Sequence, residues 1–303
     1  QNLSSAASLS VISLVLMAAV FQALNPAFLS YQGLITLVYA MSYFLIAALG
    51  LTFVIMMGSF DFSVVSVMKL AALLCVMFVD RMGLWVIPVA LAASTAFGAL
   101  NGFLFARLRI PSFMATLGVS VIVEGLALML SKGFLHMVRH EGFRALAVTF
   151  IGGLPAVFYW AMGVWAICTV LALLTPFGRR TYAIGGNPVA ATVSGINVEK
   201  QRILVFMLSS FLSGLAGVLY MAQLGGGSVG IGGHMIIPLF ASVVAGGTVL
   251  TGGVGGPHRT LFGVLMVTWI QSGLLMLGTD RSVQVVVLGI IAILMTVVTT
   301  RQK

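Results

Sequence analysis

"LITLVYAMSYFLIAALGLTFVIMM", Leu34–Met57, runs for 24 residues without a charged side chain. About 20 consecutive apolar residues are enough to cross the hydrocarbon core as an α-helix. The run is continuous, where a barrel strand would alternate apolar and polar residues. It therefore reads as a membrane-spanning helix, and that reading sets the class of the whole chain.

Moving outward from Met57, the chain breaks at Gly58-Ser59, passes Asp61 and enters a second apolar run, Phe62–Val79. Further runs follow at Leu84–Ala106, Phe113–Leu130, Val157–Leu174, Ile203–Met221, Ile236–Leu250, Leu261–Leu277 and Val283–Val298, with Leu9–Leu24 on the N-terminal side. The run from Ile236 is short and bounded by "GGH" and "GGTVLTGGVGG", which predicts a re-entrant or broken helix. The expectation is an all-α integral membrane protein: one polytopic bundle, residues 1–303, of about ten transmembrane or re-entrant helices. "QNLSSAASLS" has no basic segment ahead of its apolar run, so that run is expected to stay as a helix and not be cleaved as a leader.

Composition agrees. Hydrophobic residues make up 60% of the chain and charged ones 7%, with a mean hydropathy of +1.16, against roughly a quarter charged in soluble proteins. The net charge of +9 does not predict nucleic-acid binding, because the basic residues lie at the ends of apolar runs and not on one amphipathic face. Cys75 and Cys168 sit inside apolar runs, unlike the loop cysteines of a secreted disulfide framework. Arg107, Arg109, Arg179, Arg180, Lys200, Arg202, Arg259, Arg301 and Lys303 fall on one predicted side, and Arg81, Lys132, Arg139, Arg144 and Arg281 on the other, nine against five. The richer side is assigned to the cytoplasm, with both termini.

That places "YAIGGNPVAATVSGIN", Tyr182–Asn197, in a cytoplasmic loop. Within it Asn187 reads as an N-cap, Pro188 as the first helical residue and Gly195 as the stop. Val189, Ala190, Val193 and Ile196 are expected to share a face. Two turns are too few to stand alone in water, so the helix must dock, on headgroups or on another protein. The chain offers no nucleotide site: "GTVLTGG", Gly247–Gly253, has phosphate-loop glycine spacing without the Lys-Ser/Thr that holds phosphate and Mg²⁺.

Few residues suit chemistry. Asp61 with Ser63 reads as a helix cap that can also line a solute path. Lys69 and Glu124 are intramembrane charges, expected to pair across helices or to contact a polar solute. "GGSVG", Gly226–Gly230, matches a hydrolase elbow only literally, in a chain with 35 glycines, and no catalytic residue is assigned. His136 and His140 have i,i+4 spacing, but Glu141 follows the second histidine instead of the first. Solvent or protein contact is the expected role, and no metal site is assigned.

Four stretches together resemble one family. "YAIGGNPVAATVSGIN" is similar to the cytoplasmic coupling segment of the permease subunits of ribose-type (monosaccharide) ABC importers. "TFVIMMGSFDFSVVSV", "RIPSFMATLG" and "ASVVAGGTVLTGGVG" resemble three further motifs of that family, in the same order. Val189 and Thr192 replace its usual acidic and basic coupling residues. Ser59, Phe60, Phe62 and Val65 depart from its aspartate motif, and Glu124 stands where it often has Arg.

The resemblance implies a permease in a bacterial inner membrane, alternating access for a small polar solute, a monosaccharide or related sugar. Its partners would be an ABC ATPase, a periplasmic substrate-binding protein and a second permease copy or homologue. ATP and Mg²⁺ would be held by the ATPase and no cofactor by this chain. Asn187, Pro188, Val189, Ala190, Val193, Ser194 and Gly195, inside a coupling segment of about residues 178–200, would contact the ATPase. Phe60, Asp61, Phe62, Ser63, Thr116 and Thr248 would border the translocation path. Composition alone leaves open an ATP-independent carrier, with Asp61, Lys69 and Glu124 as its only ion-relay candidates.

Overall fold

A computed structural model describes residues 3–290 except 229, 231, 233, 234, 281 and 288, with side chains from residue 14 onward. Its helices are α1 (Leu3–Leu24), α2 (Tyr31–Met56), α3 (Val64–Met82), α4 (Val86–Ala106), α5 (Ser112–Ser131), α6 (Glu141–Val148), α7 (Ala156–Leu174), α8 (Pro176–Gly186), α9 (Pro188–Val193), α10 (Val198–Leu224), α11 (Ile236–Ala245) and α12 (Pro257–Met276). Four two-residue strands, β1 (His136–Met137), β2 (Phe150–Ile151), β3 (Leu154–Pro155) and β4 (Gly226–Gly227), pair as β1 with β4 and β2 with β3.

Among the described residues the apolar runs form helices, and several boundaries carry a local cause. Ser30 caps α2, its Oγ accepting from the Gly33 amide at 3.1 Å. A 3-10 turn at Gly83–Trp85 separates α3 from α4, which pack along each other. Among the described residues, six helical stretches are long and apolar enough to cross a membrane, with α3 and α4 counted as one stretch, Val64–Ala106. The run from Ile236 yields only ten residues of helix, α11, about 15 Å or half a bilayer. The run from Val283 is helical over 282–287, and from residue 291 it lies outside the described residues.

The middle of the bundle is α10, packed on α2, α3 and α4. Small residues allow this. A Cβ at Gly217 would overlap the Met68 carbonyl of α3, and one at Gly98 of α4 would lie 2.5 Å from the Phe206 oxygen. Gly214 and Gly246 likewise lie against Ser94 and Arg259 respectively. By contrast α5 buries only one stripe, Ser112, Ala115, Thr116, Val119, Val123, Ala127 and Ser131, and exposes Val121, Ile122 and Leu128.

The two ends of the bundle differ. At one, Arg107 Nε lies 3.1 Å from Glu199 and Gln201 donates to the Phe177 carbonyl at 3.0 Å. At the other, the Arg139 amide donates to Asp80 at 3.2 Å and the Tyr31 hydroxyl to the Gly153 carbonyl at 3.2 Å. Arg107 and Glu199 thus meet at the first end, Asp80 and Arg139 at the second.

Candidate functional site: a coupling segment, a glycine junction and an aspartate loop

The short helix forms as its sequence dictates. Asn187 Oδ1 accepts from the amides of Val189 and Ala190, both at 3.0 Å, satisfying two donors that a helix start leaves open. Pro188 occupies the first helical position, Ser194 Oγ donates back to the Ala190 carbonyl at 2.9 Å, and Gly195 turns the chain at φ +80°. The expected common face is divided. Ala191 is the buried residue of α9 and Ile196 is half-buried, whereas Ala190 is exposed and Val189 and Val193 are 73% and 84% exposed. The cause is geometric, since Ile196 follows the positive-φ glycine and is no longer on the helical wheel.

Ahead of α9 lies α8, a helix not anticipated from the sequence, although Thr175-Pro176 carries the signal: the Thr175 hydroxyl caps it and Pro176 is its first residue. The end of α8 meets two other backbones. A Cβ on Gly185 would overlap the Met56 carbonyl and lie 2.6 Å from the Gly253 amide nitrogen. That amide donates to the same Met56 carbonyl at 2.9 Å, and Gly252 lies against Gly58. The glycine turn after α2, the glycine end of α8 and the glycine turn between α11 and α12 therefore touch without side chains between them. Tyr182 fastens the contact by donating to the Gly255 carbonyl at 2.7 Å. Burial pushes its phenol up from the ordinary value, only partly opposed by the charge of Arg259, which keeps the donor protonated.

Thr248 belongs to this junction. Its Oγ1 accepts from the Gly256 amide at 3.1 Å and is fully buried. It lies in the α11–α12 loop, apart from the other residues expected to border a path.

Those others do come together. Asp61, with no exposed surface, accepts at Oδ1 from the Ser63 amide (2.9 Å) and hydroxyl (2.6 Å), and at Oδ2 from the Ser209 hydroxyl of α10 (2.9 Å). Asn101 of α4 donates to Ser63 Oγ at 2.7 Å. Ser63 is the N-cap residue of α3, but its hydroxyl is turned to Asp61 and makes no capping bond, so the expected cap becomes a tie between the loop and α10. From α5, Ser112 and Thr116 accept the amides of Phe60 and Phe62, each at 3.1 Å. With its backbone so held, the loop presents half-buried Phe60 and Phe62 to Phe240 of α11, with ring centroids 6.1 and 5.1 Å apart. Ser112, Asn101, Ser209 and Phe240 were not picked out from the sequence. Of these, Ser112 had a usable signal, its four-residue spacing from Thr116.

Lys69 Nζ of α3 lies 2.8 Å from Glu124 Oε1 of α5, which realises the expected pairing. His136 lies in β1, opposite Gly227, and His140 caps α6 by accepting from the Phe143 amide at 3.1 Å. Their i,i+4 spacing thus falls on extended backbone. Gly226–Gly227 form β4, paired with β1, and residue 229 of the same stretch lies outside the described residues.

No solved structure matches the chain. The family model described as "Branched-chain amino acid transport system / permease component" matches residues 33–296. The ribose import permease protein RbsC of Bacillus subtilis is 33% identical over 96% of this chain and 92% of its own length. That of Haemophilus influenzae is 31% identical over 91% and 88%. The L-arabinose transport system permease protein AraH of Escherichia coli is 32% identical over 88% of this chain and 82% of its own. A multi-pass helical bundle, a capped short helix beside a glycine junction, and this match over nearly the whole chain lead to one assignment: the chain belongs to the ribose-type permeases of ABC importers.

Proposed function

We propose that the chain, as one permease domain, carries a monosaccharide across a bacterial inner membrane with both termini in the cytoplasm. It works with a second permease copy or homologue, an ABC ATPase that holds ATP and Mg²⁺, and a substrate-binding protein. The observation that carries this reading is the outward face of α9: two valines, 73% and 84% exposed, on a six-residue helix capped at its start and tied back at its end. Such a helix is an unfinished contact, since apolar surface on a segment too short to hold itself is stabilised by a partner groove. The names of the relatives, ribose and arabinose permeases, point to the sugar class.

In this mechanism the ATPase closes on ATP and displaces α9. The displacement passes through α8 to the Gly185–Met56–Gly253 junction, and from Gly58 to the loop bearing Phe60 and Phe62. Alternating access follows from the two positions of that loop against Phe240. Asp61 ties the loop to α10, so the loop moves together with that helix.

Affinity purification from native membranes tests the assembly: an ATPase and a binding protein are expected to accompany the chain, and ATP-dependent ribose uptake to be retained on reconstitution. The double change Val189→Asp/Val193→Asp should remove the ATPase and reduce uptake to background. Because both side chains are exposed, stability should stay within about 0.5 kcal/mol. Retained ATPase association would sink the assigned docking face.

A further inference from the structure

Lys69 and Glu124 are treated unlike an ordinary buried ion pair. The lysine side chain is 11% exposed and the glutamate 48%. Glu124 lies twelve residues into α5, about 18 Å from its start, so its carboxylate lies at membrane depth. An exposed carboxylate on a lipid-facing surface is costly to insert, and such groups turn instead to protein or to a water-filled cavity. Lys69 covers part of it and the described residues leave about half of it open; a Cβ on the neighbouring Gly125 would also stand in open space.

A second observation gives the pair an address. Ser112, Thr116, Ser120 and Glu124 recur at four-residue spacing along α5, and the first two hold the amides of Phe60 and Phe62. Helix α5 therefore holds, at one level, the loop whose Phe60 and Phe62 face Phe240, and about 12 Å farther along it meets Lys69 of α3 through Glu124. Sugars offer two surfaces, hydroxyls and apolar C–H faces. Charged groups suit the first through charge-assisted hydrogen bonds and aromatic rings the second.

We infer that Lys69 and Glu124 line the solute path and contact sugar hydroxyls one step before the aromatic group, setting preference among sugars. The inference rests on the proposed sugar-import reading and assigns it a specificity site.

Two experiments test it, on the full chain with its partner subunits in membranes. In a Cys75→Ala/Cys168→Ala background, Glu124→Cys should react with a charged, membrane-impermeant methanethiosulfonate. Val121→Cys on the same helix, at 70% exposure, should react only with a lipid-soluble maleimide. If the charged reagent fails at position 124, the pair does not face water and the inference falls. This labelling requires no sugar uptake, so it is read separately from the importer assignment, which co-purification of the ATPase decides.

Ribose uptake is the second readout. Glu124→Gln should raise KM about tenfold, the loss expected for a hydrogen bond to a charged group, with the amount of inserted chain unchanged. The exchange Lys69→Glu/Glu124→Lys should keep insertion and ATPase association but not the parent KM. Full recovery of uptake by the exchange would reduce the pair to a strut between helices and overturn the specificity role.

Discussion

Two groups of ionisable side chains lie on the α3 side of the bundle, and the fold handles them in opposite ways. Asp61 has no exposed surface and accepts three hydrogen bonds from Ser63 and Ser209. Glu124, on a neighbouring helix, is 48% exposed and, among the described residues, meets Lys69. A carboxyl surrounded by hydroxyl and amide donors is built into the fold, because each donor loses its partner if the carboxyl goes. A carboxyl left half uncovered contributes little to folding and is free to meet a solute. Polarity inside a membrane protein thus divides into what holds helices together and what faces the cargo, and exposure separates the two.

Three substitutions sharpen or break that contrast. Asp61→Ala should have the largest effect on stability, about 3 kcal/mol, since three donors are orphaned in the interior. It should be read as earlier thermal unfolding in detergent, and unchanged unfolding would mean the site is not integral to the fold. Ser209→Ala removes one donor and should cost about 1.5 kcal/mol by the same measurement, with Asp61 still held by Ser63. Glu124→Gln should shift unfolding least, by under about 1 kcal/mol. A loss at Glu124 as large as at Asp61 would erase the distinction.

The sequence made the spans legible because the apolar runs are long, and the α9 start legible because capping is local to Asn187 and Pro188. The cost of an unpaired charge in a membrane made a Lys69–Glu124 pair one of the two readings open to the sequence, beside contact with a polar solute, and the structure brings the two together. What was not legible is non-local. Ser209 lies 148 positions from the carboxyl it serves, and nothing near it signals that partner. Phe240 meets Phe60 and Phe62 from a helix far along the chain, and no local pattern signals the contact. Thr248 looked like a polar wall residue, but the close passage of Gly255, whose Cβ would collide with it, turns it into a strut. The valines of α9 were expected to share a face with Ile196, and Gly195 separates them.

The contact among Gly58, Gly185 and Gly252–Gly253 has a mechanical consequence. Flexible side chains at a joint absorb motion by changing rotamer, and a joint of bare backbone has no such slack. It behaves as a bearing: small displacements of α8 arrive at the ends of α2 and α11 nearly undamped. Its tolerance is correspondingly narrow, and a single added methyl group at Gly185 is enough to seize it.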